Sequence, residues 1–251
     1  MTEPEFAEYL RESRICGRVA TARENNIDHM HGFVAGNEHL EFGVRWTREW
    51  TYDKVFQLMA ERVGTSDDPD FLEGVDTISA EKCIAALNEY AHIFGQTVAD
   101  GGSLLFATGH PAGLFPIYAE LARAAESAGA HIVRIQEGDR FLDGDLRQIM
   151  DVVMFEQYGN LQHTHFPGPM RLVLEQAGAP IPDLVVADHG MAGFAASAGL
   201  RTIGIADCND PGLFVSAEQG QIEVAVPMDD NVTPHLYQPV IEFILTRAGL
   251  L

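Results

Sequence analysis

Five short clusters in the C-terminal part of the chain carry the side chains best suited to metal or phosphate chemistry. They are Thr108-Gly109-His110-Pro111, His163-Thr164-His165, Asp188-His189-Gly190, Asp207-Cys208-Asn209-Asp210 and Asp229-Asp230-Asn231. Asp188 follows Leu-Val-Val-Ala and Asp207 follows Ile-Gly-Ile-Ala, so each carboxylate stands at the end of an apolar run of strand length. With Asn209 and Asp210 they make a hard, oxygen-rich ligand set suited to Mg²⁺ or Mn²⁺. Either aspartate alone reads equally well as a cap for the turn or helix after it. Both together, with Asn209 and Asp210 beside them, point to a metal site.

His163 and His165 alternate along an expected strand and so share a face, where two imidazoles can bind a metal or act as acid and base. With His189 and the two aspartates, Asp188 and Asp207, they are the candidate catalytic residues. Thr108, Gly109, His110 and Gly113 lie between a buried strand and a helix that opens with Pro111. Free amides at such a start attract anions, and glycine lets a ligand approach the backbone, so this segment is the candidate phosphate-binding turn. A purely structural strand-to-helix turn is the equal alternative, because the lysine and glycine spacing of a P-loop or dinucleotide fingerprint are missing. Asp229 and Asp230 precede a helix with Thr233 as its cap, and at least one is expected only to complement the helix dipole. His235 would lie in that helix's first turn, within reach of the site.

These clusters need a scaffold that brings them together. Residues 1–100 read as a mainly helical segment or subdomain, with helices over Pro4–Glu24 and Thr51–Val63 and a third capped by Ser79. From Ser103 strands and helices alternate. Strands are expected at Leu104–Ala107, His131–Ile135, Leu184–Ala187, Thr202–Ala206 and Ile222–Val226. Helices are expected at Pro111–Ser127, Pro169–Gln176, Met191–Ala198 and after Thr233. Ile149–Glu156 and Leu161–His165 read as a hairpin around Tyr158-Gly159-Asn160. The expected fold is therefore α/β, a doubly wound, mostly parallel Rossmann-like sheet over residues 101–251. Parallel strands point their carboxyl ends at one edge, where ligands bind, and a right-handed crossover sets Asp188 beside Asp207.

The formal net charge is −21, from 37 acidic and 16 basic residues, which argues against nucleic acid or an anionic membrane surface as partner. An anionic substrate would need a local positive charge, for which a divalent cation is the natural source. No apolar run approaches the roughly 20 residues that span a bilayer, and the acidic N-terminus lacks a signal-peptide pattern. Cys16, Cys83 and Cys208 are too few and too dispersed for a disulfide framework, so a reducing cytoplasm is the expected setting. No Gly-x-Ser-x-Gly elbow supplies a serine nucleophile. Asp143-Gly144-Asp145 is similar to the haloacid-dehalogenase nucleophile motif, but no buried strand precedes it. Residues 43–50, with two arginines and both tryptophans, are expected to pack as an amphipathic surface on the main domain.

The segments Ala107–Leu114, His163–His165, Ala187–Gly193, Ala206–Phe214 and Pro227–Tyr237 resemble an actinobacterial family of proteins labelled "phosphatase", and the resemblance spans roughly residues 45–240. A fainter similarity is to metal-dependent damage-control phosphatases, which also set a helical segment before a Rossmann-like domain; this is analogy only. The resulting expectation is a metal-dependent phosphatase for a small phosphorylated metabolite. Asp188, Asp207, Asn209 and Asp210 would hold Mg²⁺ or Mn²⁺, and a homodimer is the candidate assembly. The alternatives are a sugar-phosphate isomerase or lyase, and a non-catalytic protein that binds a sugar phosphate or nucleotide.

Overall fold

The computed structural model describes residues 1–176 and 180–251. The first part comprises α1 (Glu3–Glu12), β1 (Gly17–Ala22), α2 (Arg23–Val34), the one-turn α3 (Glu38–Glu41), α4 (Tyr52–Arg62), β2 (Val75–Ile78) and α5 (Ala80–Ala99). Then follow β3 (Ser103–Ala107), α6 (Pro111–Ser127), β4 (His131–Ile132), β5 (Arg140–Phe141), β6 (Gly144–Ile149), β7 (Val152–Gln157), β8 (Asn160–Leu161) and α7 (Gly168–Glu175). The chain ends with β9 (Leu184–Asp188), α8 (His189–Ser197), β10 (Thr202–Ala206), α9 (Pro211–Glu218), β11 (Val224–Pro227), a 3-10 turn over Pro234–Tyr237 and α10 (Gln238–Arg247).

The fold is α/β around a mixed, mostly parallel sheet of nine strands among the described residues. β11, β10, β9 and β3 lie side by side and parallel. β9 and β10 are buried at every position, which is why their sequences are continuous apolar runs rather than alternating ones. The far edge of β3 is shared: β4 pairs with Ser103 and Leu104, and β7 with Phe106 and Ala107. The chain thus steps one way from β3 to β4 and the other way through β9, β10 and β11. Such a reversal opens a crevice at the carboxyl ends of the two diverging strands, here β3 and β9. Only the start of β7 pairs with β3, while all of it pairs with β6, so the β6–β7 arm extends past that carboxyl edge.

Four local expectations are corrected. Pro4–Glu24 is not one helix: α1 stops at Glu12, Arg14 and Gly17 take positive φ (62° and 73°), and the chain re-enters as β1. β1 exists because β2, far along the sequence, pairs with it antiparallel, a partner that local periodicity cannot reveal. The strand expected over His131–Ile135 shortens to β4, since β7 takes the second half of that edge. The hairpin is real only as β7 with the two-residue β8, and β6 is the main partner of β7. Finally, Thr233 makes no side-chain cap bond and Pro234 opens a 3-10 turn before α10.

One cluster of buried apolar side chains runs from Phe6 to Leu245, so elements before residue 100 pack into the core that also supports the sheet. Residues 43–50 pack as expected: Thr47 and Trp50 donate to Gln219 Oε1 at 2.7 and 3.1 Å, just beyond α9. No helix among the described residues is long and apolar enough to cross a membrane. Arg23 is fully buried, pairs with Asp76 at 2.8 Å, and donates through Nε to the Phe71 carbonyl at 2.9 Å. Arg23→Ala strands a buried carboxylate, and should lower unfolding free energy by about 3–5 kcal/mol in a urea titration. A loss below about 1 kcal/mol would mean the pair is solvated after all.

Candidate metal centre at the strand carboxyl ends

β9 delivers Asp188 to the crevice and the next residue, His189, opens α8 with φ +45°, a backbone region uncommon outside glycine. Asp188 Oδ1 accepts from the Gly109 amide at 2.8 Å and from His189 Nδ1 at 2.7 Å. The first bond joins the ends of β3 and β9, and the second fixes the orientation of the His189 ring. With Nδ1 donating to Asp188, Nε2 is the nitrogen left to face the crevice, the arrangement that orients a metal-binding imidazole once its proton is displaced. His165 is set the same way by the His39 carbonyl, 2.9 Å from its Nδ1. His163 completes the group, its Nε2 lying 3.2 Å from His189 Nε2 and 3.0 Å from His165 Nε2.

The backbone explains how His163 and His165 arrive there. After the β6–β7 arm, the chain folds back over the strand ends and Thr164 donates to the Gly109 carbonyl at 2.7 Å. A Cβ on Gly109 would overlap the Thr164 carbonyl, and one on Gly190 would overlap those of His165 and Phe166. Glycine at these two positions is a condition for the loop's close approach.

The carboxylates come from the other side. Asp207 follows β10, Asp210 precedes α9, and Asp229 and Asp230 follow β11; all four are at most 2% exposed. Asp207 accepts from its neighbour Cys208 N at 2.7 Å and from Thr21 Oγ1 of β1 at 2.7 Å. Asp229 accepts from Asn231 N at 2.8 Å and, weakly, from Ala20 N of β1 at 3.3 Å. Asp230 Oδ1 accepts from Asn231 Nδ2 at 2.9 Å, but its Oδ2 is buried and has no hydrogen-bond partner. That oxygen lies 3.5 Å from His189 Nε2 and 3.4 Å from His110 Nδ1, the latter contact falling short of hydrogen-bond geometry. Three overlapping sets have ligand atoms within 4.8 Å of one another: His163, His165 and His189; His189, Asp210 and Asp230; and Asp207, Asp229 and Asp230.

Among the described residues no arginine or lysine pairs with these carboxylates; their ion-pair partners are histidines. Burial and the neighbouring carboxylates push Asp207 well up, and burial with Asp230 holds Asp210 at about 7 despite His189. Burial alone would favour a neutral His189, but Asp210, Asp188 and Asp230 override it and raise its pKa to about 10. Burial and the adjacent rings lower His163 to about 4 and His165 to about 2.

A pH dependence follows with a definite sign. The stability contributed by the His189 imidazolium is complete below its unfolded pKa of about 6.5 and is lost as pH rises through 10. The Asp210 carboxylate acts in the same direction between about pH 4 and its folded value near 7. His163 and His165 oppose it only below about pH 6.5, where the unfolded chain binds their protons more readily. In the presence of chelator, unfolding free energy should therefore fall steadily from about pH 7 to 10. A flat or rising profile in urea titrations would contradict this charge arrangement.

A family model described as Phosphatase matches residues 1–251. The chain is also 45% identical over 254 residues to Phosphatase SCO2771 of Streptomyces coelicolor, covering 98% of this chain and 96% of that relative. The chain belongs to the Phosphatase family. The resemblance drawn from the motifs is thereby shown.

In this Phosphatase-family chain the expected site residues are partly regrouped. Asp207, Asp210, His163, His165 and His189 meet in the crevice, but His163 and His165 do so from a loop and not from a strand. Asp188 stands behind His189 as its orienting carboxylate and belongs to none of the three sets. Asn209 is turned away: its side-chain nitrogen donates to Asn25 Oδ1 at 2.9 Å and its carbonyl meets His29 Nδ1 at 2.8 Å.

The phosphate cradle expected at Thr108–Gly113 is corrected as well. The amides of Gly109, His110 and Gly113 are spent on Asp188, Thr108 Oγ1 and the His110 carbonyl. Gly113 is also packed against the Asp230 carbonyl. His110 instead stacks on His163, ring centroids 4.2 Å apart. His235 is exposed, outside the cluster.

Four residues of the site lie outside the sequence expectation for it: Asp230, Thr21, His39 and Phe42, whose ring meets His165 and His189 edge-on. The doubled acid Asp229-Asp230 was the one available signal. Nothing local marks Thr21 or His39.

Proposed function

We propose that this protein is a metal-dependent phosphomonoesterase for a small phosphorylated metabolite, with its cation held among the clustered histidines and aspartates. The observation that carries the reading is the meeting of three imidazole Nε2 atoms, one of which, on His189, adjoins a buried group of carboxylates with an unpaired oxygen, Asp230 Oδ2. Lone pairs at about 3 Å repel unless a cation or a proton lies between them, and buried carboxylates without arginine or lysine need the same remedy. Family membership supplies the reaction class. Mg²⁺ or Mn²⁺ suits the carboxylate side of the cluster. When bound, a divalent ion supplies polarisation of a phosphoryl oxygen and a more acidic water.

The chain's own residues do the rest. Asp188 holds the His189 ring in its orientation, and the His39 carbonyl does so for His165. His163, the most exposed of the three rings, marks the side from which substrate enters. His110, outside the three sets but stacked on His163, is placed to hand a proton to the leaving oxygen. The reversal of strand order at β3 favours a doubly wound, Rossmann-like reading of the domain, with the site at its switch point.

The test is release of inorganic phosphate from a panel of sugar, nucleoside and inositol phosphates, before and after exhaustive chelation. Release should disappear with the metal and return on adding Mg²⁺ or Mn²⁺. Undiminished release after chelation would sink the metal mechanism. Conversion of a sugar phosphate without phosphate release would favour an isomerase or lyase, and binding without turnover a non-catalytic phosphate-binding protein.

A further inference from the structure

The ligand sets differ in chemistry from one end of the cluster to the other. At one end stand three nitrogens, from His163, His165 and His189, and at the other three carboxylates, Asp207, Asp229 and Asp230. The sets overlap only at His189 and at Asp230. His163 and His165 do not fall within 4.8 Å of Asp207 and Asp229 as one group, whereas ligands of one ion at about 2.1 Å lie no more than about twice that distance apart. One ion therefore cannot be shared by both ends.

Each end has independent support beyond its residue types. The nitrogen end has two rings held from behind through Nδ1, His189 by Asp188 and His165 by the His39 carbonyl, which turns both Nε2 atoms toward the Nε2 of His163. The oxygen end has Asp230, 2% exposed, whose Oδ2 is buried without a hydrogen-bond partner between the two groups. Imidazole favours zinc-like transition ions, and carboxylate favours magnesium or manganese.

We propose that the cluster holds two cations of different class side by side. A zinc-type ion sits on His163, His165 and His189, and a Mg²⁺ or Mn²⁺ on Asp207, Asp229 and Asp230. The inference rests on the metal-dependent reading above and deepens it, since paired ions suit a phosphate monoester whose oxygens can meet both. Asp210, within reach of His189 and Asp230, lies where the two positions adjoin.

Metal content decides the matter without any assay of activity. Chelated full-length protein is equilibrated with Zn²⁺ and Mn²⁺ together, and bound metals are counted by elemental mass spectrometry, with bound Mn²⁺ also followed by electron paramagnetic resonance. One zinc and one manganese per chain are expected. The double variant His163→Ala/His165→Ala should weaken zinc about a hundredfold or more and manganese less than about tenfold. Asp229→Asn should do the reverse, with circular dichroism confirming that both variants fold. A single ion per chain, lost equally in both variants, would overturn the two-ion proposal while leaving a metal-dependent phosphatase standing. No bound ion of either kind, with phosphate release indifferent to chelator, would remove both readings.

Discussion

His189→Gln should lower phosphatase turnover about a thousandfold or more while the protein still folds. The residue is shared by two of the three ligand sets and is the only imidazole of the cluster bonded to a carboxylate through Nδ1, at 2.7 Å. Glutamine fills much of the same space and can still donate toward Asp188, but it has no ring nitrogen to offer at the Nε2 position. The variant therefore separates the chemistry of His189 from its packing against Phe42. Asp188→Asn is the matched control. It perturbs only the group that orients His189, and should cost about 10- to 100-fold in metal affinity. Comparable losses in the two variants would place Asp188 in direct contact with the reacting groups. Near-normal turnover in His189→Gln would return the histidine to a structural role.

Asp207→Asn should also abolish turnover, by about a thousandfold or more, yet make the chelated protein more stable at neutral pH. Burial and the carboxylates of Asp230, Asp229 and Asp210 push the Asp207 carboxyl well above its ordinary pKa. Its ionised form is therefore a cost to the fold that appears as pH rises above about 4, the unfolded value. Asparagine keeps an acceptor for Cys208 N and a partner for the Thr21 hydroxyl while removing the charge. Opposite movements of activity and stability are the mark of a charge kept for function. An ordinary turn residue would give the opposite pattern, with about 1 kcal/mol of lost stability and an intact rate. Urea titrations in chelator and steady-state kinetics in metal give the two readings on the same preparation.

Much of this architecture is legible in the chain because its causes are local. Leu184–Ala187 of β9 and Ile203–Ala206 of β10 are unbroken apolar runs, and α5 and α6 begin where Ser79 and Pro111 permit a helix to start. Four of the five polar clusters follow such a run at once or within a residue or two, so those strand ends and their cargo of Asp and His could be read together; His163-Thr164-His165 follows none. The motifs were also specific enough to point to the family that the full-length match shows.

What the sequence could not supply were the pairings between distant segments. β1 looks helical until β2 gives its backbone a partner, and only then does Thr21 reach Asp207. His163 and His165 share a point in space because Gly109 and Gly190 admit their loop, not because a strand alternates. The amides of the Thr108–Gly113 turn looked free for phosphate, but the tertiary structure commits them to Asp188, Thr108 and the His110 carbonyl. Residue type and apolar runs determined which groups stand at the strand ends. Which of them face one another, and which donors are already spent, was decided by contacts between segments up to about two hundred positions apart, such as Ala20 with Asp229. Those contacts carry no local signature because a hydrogen bond depends on geometry in space and not on separation along the chain.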